Sequence, residues 1–303
     1  MENRKIIVIG GDTRAYYMAI ELSRYGYDVS TYGVPLMAFH RGEPFFVHAE
    51  YQEECINNSD IIILPIPFSK DHKTVRWESG KDVVLLSEIC DAMREGQLLF
   101  GGQLTEELKK SCKEKGVLYY DFMELPAVTI KNAIATAEGA IAEAIKEGLD
   151  NLHQSTCLVI GYGQCGKVLA DKLKGLNANV VVMARRVESR KEAEALGFQT
   201  LPMFHEEMSI HERISYIFNT VPALVLPSGI LQHLPASVVI IDIASAPGGC
   251  DYTYCKKKGI HAKLCPGLPG QYAPKTSGEI LAKAIAIEIG NEIAKNTYNT
   301  VST

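Results

Sequence analysis

An apolar strand running directly into a glycine turn and then a helix is the feature that most constrains this chain. Thr156-Cys157-Leu158-Val159-Ile160 reads as a buried strand, and Gly161-x-Gly163-x-x-Gly166 follows at once. Lys167-Val168-Leu169-Ala170-Asp171-Lys172-Leu173 then carries helical apolar spacing at Val168, Leu169 and Leu173. A second strand, Asn179-Val180-Val181-Val182-Met183, comes one helix length later. In such a frame Gly161 permits the tight turn and Gly163 lets a pyrophosphate approach the backbone. Gly166 lets helix and strand pack closely, so the phosphates rest on the helix's positive N-terminus. Tyr162, Gln164 and Cys165 complete the turn, Cys165 as a small filler rather than a nucleophile. The motif predicts a Rossmann dinucleotide-binding unit in the middle of the chain.

The end of the second strand speaks to which dinucleotide. NAD sites want a carboxylate there for the ribose 2′-hydroxyl. This chain offers Ala184-Arg185-Arg186, with no acid until Glu188. Two guanidiniums match a 2′-phosphate in charge and in bidentate geometry, so NADP is the expected cofactor.

Composition excludes several other classes. The formal net charge of -5, with no basic cluster, argues against a nucleic-acid partner. No apolar run is long enough for a membrane span, and Met1-Glu2-Asn3-Arg4-Lys5 leads into a strand rather than a secretion signal. The 8 cysteines include no C-x-x-C pair, and Cys250, Cys255 and Cys265 near His261 match no common zinc spacing. No metal is expected, and reduced thiols suit a cytoplasmic location.

At 303 residues, 47% of them hydrophobic, the chain has room for two domains. Lys5-Ile6-Ile7-Val8-Ile9 and Asp28-Val29-Ser30-Thr31-Tyr32 read as the first strands. Further apolar segments are Ile61–Leu64, Val83–Leu86, Gln97–Phe100 and Val117–Tyr120. Strands alternating with helical patterns imply parallel sheets covered on both faces. The expected fold class is α/β: a flavodoxin-like N-terminal domain over residues 1–131 and a Rossmann domain over 154–275, both doubly wound. A connecting helix spans 132–153, and a C-terminal helix over 276–303 returns to the first domain, leaving a cleft between the sheets. Gly10-Gly11-Asp12 resembles a second nucleotide turn but has Ala15 where a third glycine would stand. It is read as a structural strand-to-helix turn whose Asp12 and Arg14 face the cleft.

Three segments look like ligand loops. Asn219-Thr220-Val221-Pro222 ends a strand and can hold the nicotinamide ribose. Asp242 closes another strand, with Ala244-Ser245 just past it. Residues 266–276 form a proline- and glycine-rich loop suited to a shaped pocket. His205 and His211, around Glu206-Glu207, read as solvated loop residues.

On these motifs the chain resembles the dipicolinate synthase A-subunit family. The resemblance is carried by Ile9-Gly10-Gly11-Asp12-x-Arg14, Thr136-x-Glu138-Gly139 and Gly161-x-Gly163-x-x-Gly166, then Ala184-Arg185 and Asn219-Thr220-x-Pro222. It continues through Asp242-x-Ala244-Ser245-x-Pro247-Gly248-Gly249 and Pro266-Gly267-Leu268-Pro269-Gly270-x-x-Ala273-Pro274-Lys275-Thr276. It implies NADP-linked oxidation of a dihydrodipicolinate-type precursor to pyridine-2,6-dicarboxylate during sporulation, with a separate dipicolinate synthase B-subunit as partner; a homo-oligomer is expected. The architecture is more distantly similar to D-2-hydroxy-acid and alanine dehydrogenases. The former would place a catalytic Arg where this chain has Ser245-Ala246-Pro247, and a catalytic His where it has Lys275.

For a planar dicarboxylate, Arg14 and Lys275 are the candidate partners, because charge-assisted paired hydrogen bonds suit carboxylates. Asp12, Thr136 and Glu138 complete the candidate substrate set, with Glu138 equally able to form a salt bridge. Lys275, Ser245 and Thr276 are the candidate catalytic groups, Lys275 as an alternative acid or base. Two other readings remain open: a non-catalytic NADP-binding subunit, and a dehydrogenase acting on a small 2-oxo or amino acid.

Overall fold

The computed structural model describes residues 4–35, 47–48, 53–77, 83–203 and 214–301. Tertiary contacts divide the chain into one unit of Met1–Lys131 with Ala273–Thr303, and a second of Asn132–Tyr272.

The first unit begins with β1 (Lys5–Ile9), α1 (Thr13–Arg24), β2 (Asp28–Tyr32), β3 (Val47–His48) and α2 (Glu53–Asn57). It continues with β4 (Ile61–Ile63), α3 (Leu86–Ala92), β5 (Leu98–Gly101), α4 (Glu106–Glu114) and β6 (Leu118–Asp121). The sheet is parallel in the order β3-β2-β1-β4-β5-β6. Apart from the two-residue β3 at its edge, this is the flavodoxin-like order. The central strands β1, β4 and β5 are near-continuous apolar runs because both faces are covered. Ile6 and Val8 join one core with Ile61 and Ile63, while Ile7, Ile9 and Ile62 point into the other.

α5 (Pro126–Glu147) runs across the boundary into the second unit. There follow β7 (Thr156–Ile160), α6 (Gln164–Gly175), β8 (Asn179–Ala184), α7 (Val187–Ala195), β9 (Gln199–Pro202) and β10 (Ile214–Asn219). The unit ends with α8 (Ser228–Leu231), β11 (Val239–Asp242), α9 (Tyr252–Lys258), β12 (His261–Leu264) and α10 (Leu268–Tyr272). Its parallel sheet has the order β12-β11-β10-β7-β8-β9, that of a dinucleotide-binding Rossmann domain. Cys157 and Val159 face the core that α5 covers with Ala137, Ala140 and Ala144; Leu158 and Ile160 face the other. The last helix, α11 (Pro274–Val301), packs on α1 through Leu281, Ala284, Ile285 and Ile289.

Three local expectations change. Val83–Leu86 forms no strand: Leu85 makes one bridge to Thr74, and the chain turns into α3, where Glu88 Oε2 accepts the Leu85 N–H at 3.2 Å. That carboxylate satisfies a helix-terminal donor and breaks the ladder. The loop expected over 266–276 is largely helical, so Lys275 and Thr276 lie in the first turn of α11. The helix expected to open the second half begins before residue 132, at Pro126, whose fixed φ suits a first turn.

Candidate dinucleotide and carboxylate sites

The glycine turn is built as a phosphate cradle. Gly161 has φ +93°, and a side chain there would strike Thr220 Oγ1 at 2.3 Å. Gly166 lies so close to the preceding strand end that a Cβ would stand 2.2 Å from Gly161 O. Gly163 differs: it caps α6 with no side-chain hydrogen bond and has open space where its Cβ would be. Gly163 and Gln164 are exposed, so the first amides of α6 face solvent without a protein acceptor on the cap. Such a helix end attracts anions through its free N–H groups and its dipole. The residues present therefore fit a dinucleotide pyrophosphate. Tyr162 points inward, its ring against Phe198 and its buried hydroxyl unpaired among the described residues. Burial pushes the Cys165 thiol up, only partly offset by a hydrogen bond with Thr136, which disfavours a thiolate nucleophile. Thr136, considered above for substrate, thus stands beside the nucleotide turn, its Oγ1 donating to Asn132 O at 2.8 Å.

β7 and β10 are neighbours at the point where strand order reverses, the usual ligand position in open α/β sheets. Thr220, following β10, donates its hydroxyl to Ile160 O at 2.9 Å and so braces the glycine turn. Asn219 and Asp242 are fully buried. Asp242 Oδ1 accepts from Asn219 Nδ2 at 2.9 Å and Ala244 N at 3.0 Å. Its Oδ2 accepts from Gly249 N at 2.6 Å and Tyr252 Oη at 2.7 Å. Asn219 in turn closes a reciprocal pair with Val221: Nδ2 donates to Val221 O and Oδ1 accepts Val221 N, each at 3.0 Å. Asn219 and Asp242 were expected to touch cofactor; zero exposure and saturated hydrogen bonding make them the struts that shape the 219–222 and 242–249 loops. The accessible groups of those loops are Thr220, Val221, Pro222 and Ser245, while Ala244 is buried.

Past β8, Ala184 is buried and Arg185 and Arg186 are exposed, with no ion pair among the described residues. The turn is held by a residue the sequence reading passed over. Arg190 Nη1 donates to Ala184 O at 2.8 Å and to Arg185 O at 3.0 Å, leaving the two forward arginines free to meet an anion.

In the first unit Asp12 caps α1, accepting the Arg14 N–H at 3.1 Å. Arg14 grips the same carboxylate with Nε at 2.8 Å and Nη2 at 2.6 Å, both side chains largely buried. Burial pushes the Asp12 carboxyl up, but the Arg14 bonds and charge, with Arg76 nearby, hold it below its ordinary range. Sequence reading missed Arg76, whose signal is tertiary. The remaining candidates lie on α11 and α5. Lys275 is exposed and 4.0 Å from Glu279, Thr276 is exposed, and Glu138 pairs with Lys172 at 2.8 Å on the surface of α5 and α6. Glu138 is therefore engaged as a surface ion pair. His205, Glu206, Glu207 and His211 lie outside the described residues. Among the described residues no cluster of His, Cys, Asp or Glu is placed to hold a metal, and no helix is long and apolar enough to cross a membrane.

Residues 5–123 match the family model for the N-terminal domain of the dipicolinate synthase A-subunit. A relative from Bacillus subtilis (strain 168), the A-subunit of dipicolinate synthase, is 32% identical over 93% of this chain and 94% of its own length. The chain belongs to the dipicolinate synthase A-subunit family. The crystal structure of the A-subunit from Bacillus halodurans superposes with a TM-score of 0.85 at 29% identity, covering 94% of this chain and 97% of the other. Residues 130–244 match the NAD-binding domain of D-isomer specific 2-hydroxyacid dehydrogenases. This family member thus carries a nicotinamide-dinucleotide-binding domain of oxidoreductase type. An L-alanine dehydrogenase shares the fold, with a TM-score of 0.63 at 15% identity over 95% of this chain and 90% of the other.

Proposed function

We propose that this chain is the oxidising component of a dipicolinate synthase, using NADP to convert a dihydrodipicolinate-type precursor to pyridine-2,6-dicarboxylate in a sporulating cell's cytoplasm. The single observation that carries the reading is an anion-ready nucleotide turn: the uncapped N-terminus of α6, opened by Gly163, with Arg185 and Arg186 past β8 unpaired among the described residues. The relative's name supplies dipicolinate as the product and, through the subunit letter, the expectation of a B-subunit.

The bound dinucleotide supplies the hydride acceptor. The work of the chain is then positional. α6 amides neutralise pyrophosphate charge, and Arg185 and Arg186 take the 2′-phosphate. Asp242 and Asn219 hold the two loops where the nicotinamide ribose is expected, with Thr220, Val221, Pro222 and Ser245 as their reachable groups. The substrate gives up a hydride and one proton and becomes aromatic, so the step is downhill and needs orientation more than strong acid–base assistance. Lys275 and Thr276, both exposed, remain candidates for the diacid and its proton, whereas the Arg14 fork is already held by Asp12.

The test is absorbance at the reduced-nicotinamide band when the purified chain meets NADP and freshly generated precursor, alone and with the B-subunit added. Reduced cofactor and dipicolinate forming in equal amounts support the reading. Absence of both products in both mixtures overturns it.

A further inference from the structure

Two arginines converge on one backbone oxygen in the first unit. Arg76 Nη1 donates to Ile66 O at 2.7 Å, and Arg14 Nη2 donates to the same oxygen at 2.7 Å. Arg76 Nη2 also stands 3.7 Å from Asp12 Oδ2. One carboxylate therefore faces two guanidiniums, and the trio keeps a net positive charge. It lies past the C-terminal ends of β1 and β4, the neighbouring strands where this sheet's order reverses.

Accessibility separates the two arginines. The Arg14 side chain is 7% exposed and its fork is spent on Asp12, whereas that of Arg76 is 24% exposed. The cavity bordered by Asp12, Arg14 and Ile66 measures about 20 Å³. That holds one water and excludes a pyridine ring. Among the described residues of this trio, Arg76 presents the most accessible charge.

The backbone is arranged to deliver that side chain. Arg76 N donates to Phe68 O at 2.8 Å, and Arg76 O accepts the Gly11 N–H at 2.9 Å. Gly10 has φ +66°, and a Cβ there would stand 2.6 Å from Arg76 O. The glycine pair that looks like a second nucleotide turn instead admits the Arg76 segment against the end of β1.

We infer that Arg76 takes a substrate carboxylate, and that Asp12 and Arg14 are its positioning pair. A planar monoanionic group suits the partly exposed Arg76 guanidinium, whose Nη2 stands beyond hydrogen-bond distance of Asp12, beside a retained net charge. The inference rests on the proposed reading that the substrate is a flat dicarboxylate.

Calorimetric titration of the full chain with NADP, and with dipicolinate in the presence of NADP, tests it in wild type, Arg76→Gln and Arg76→Lys. Dipicolinate affinity should fall roughly 10–100-fold in Arg76→Gln and less in Arg76→Lys, with NADP affinity retained in both. Unchanged dipicolinate affinity in Arg76→Gln overturns the assignment while leaving the proposed activity standing. Parallel loss of both ligands in both variants also overturns it, because Arg76 would then act through the fold. Wild type that binds NADP but no dipicolinate refutes the dicarboxylate reading and this inference with it.

Discussion

Replacing Asp242 with Asn changes no shape and one charge, so its cost can be worked from the contacts. The carboxylate accepts four hydrogen bonds, from Asn219 Nδ2 and Ala244 N on one oxygen and from Gly249 N and Tyr252 Oη on the other. An ionised carboxylate only accepts; an amide must turn its NH₂ toward one of these donor pairs. Facing Oδ2's partners is the cheaper choice, because the Tyr252 hydroxyl can rotate to accept. The Gly249 N–H then loses its buried acceptor, a penalty of about 1–3 kcal/mol. The two bonds on the other oxygen fall from charge-assisted to neutral strength, about 0.5–1 kcal/mol each. The sum, about 2–5 kcal/mol, should appear in urea unfolding of Asp242→Asn as a lower midpoint at constant m. NADP affinity should fall too, because the loops after β10 and β11 lose their common anchor. A loss of stability below about 1 kcal/mol would sink the argument, since a neutral side chain would then serve those donors as well.

Other expectations follow from the same contacts. Arg185→Ala should weaken NADPH binding by roughly 10–100-fold and leave NADH nearly untouched, as one charge-assisted contact is removed; equal losses for both cofactors in fluorescence titration would refute the 2′-phosphate role. Gly166→Ala places a methyl 2.2 Å from Gly161 O, so the turn must shift; nucleotide affinity should drop with a destabilisation of about 1–3 kcal/mol, and wild-type behaviour by calorimetry and melting would contradict the cradle. Glu143 Oε2 accepts from Lys263 at 2.7 Å and Oε1 from Tyr272 Oη at 2.7 Å; the Lys263 bond, against some desolvation, holds its carboxyl below the ordinary range. A depressed carboxyl gives stability that is present above its unfolded value and lost as pH falls through the folded one. Wild type should therefore lose stability as pH falls below about 4.3, and Glu143→Gln should show a shallower fall over that window in melts taken by pH.

What was legible along the chain was local and periodic. β7, the glycine turn, α6 and β8 follow one another in a single short stretch, and buried parallel strands announce themselves as unbroken apolar runs. Short apolar runs are ambiguous, and at Val83–Leu86 the outcome was set by one carboxylate reaching back to a backbone amide. Lys275 and Thr276 read as loop residues because prolines and glycines surround them, yet Pro274 is a sound first residue for a helix.

Sequence by itself determined the fold class, the dinucleotide turn and the basic pair past β8, because each is written in the spacing of adjacent residues. Tertiary structure alone decided which polar groups are struts and which are free. Asp242 is saturated by partners that include Asn219 on the neighbouring strand, and Arg190 braces the arginine turn. Arg76, which comes after β4 in the chain, meets Arg14, which follows β1, over the carbonyl of Ile66. A side chain's availability depends on burial and on who already holds its hydrogen bonds, and neither quantity exists until distant strands are side by side.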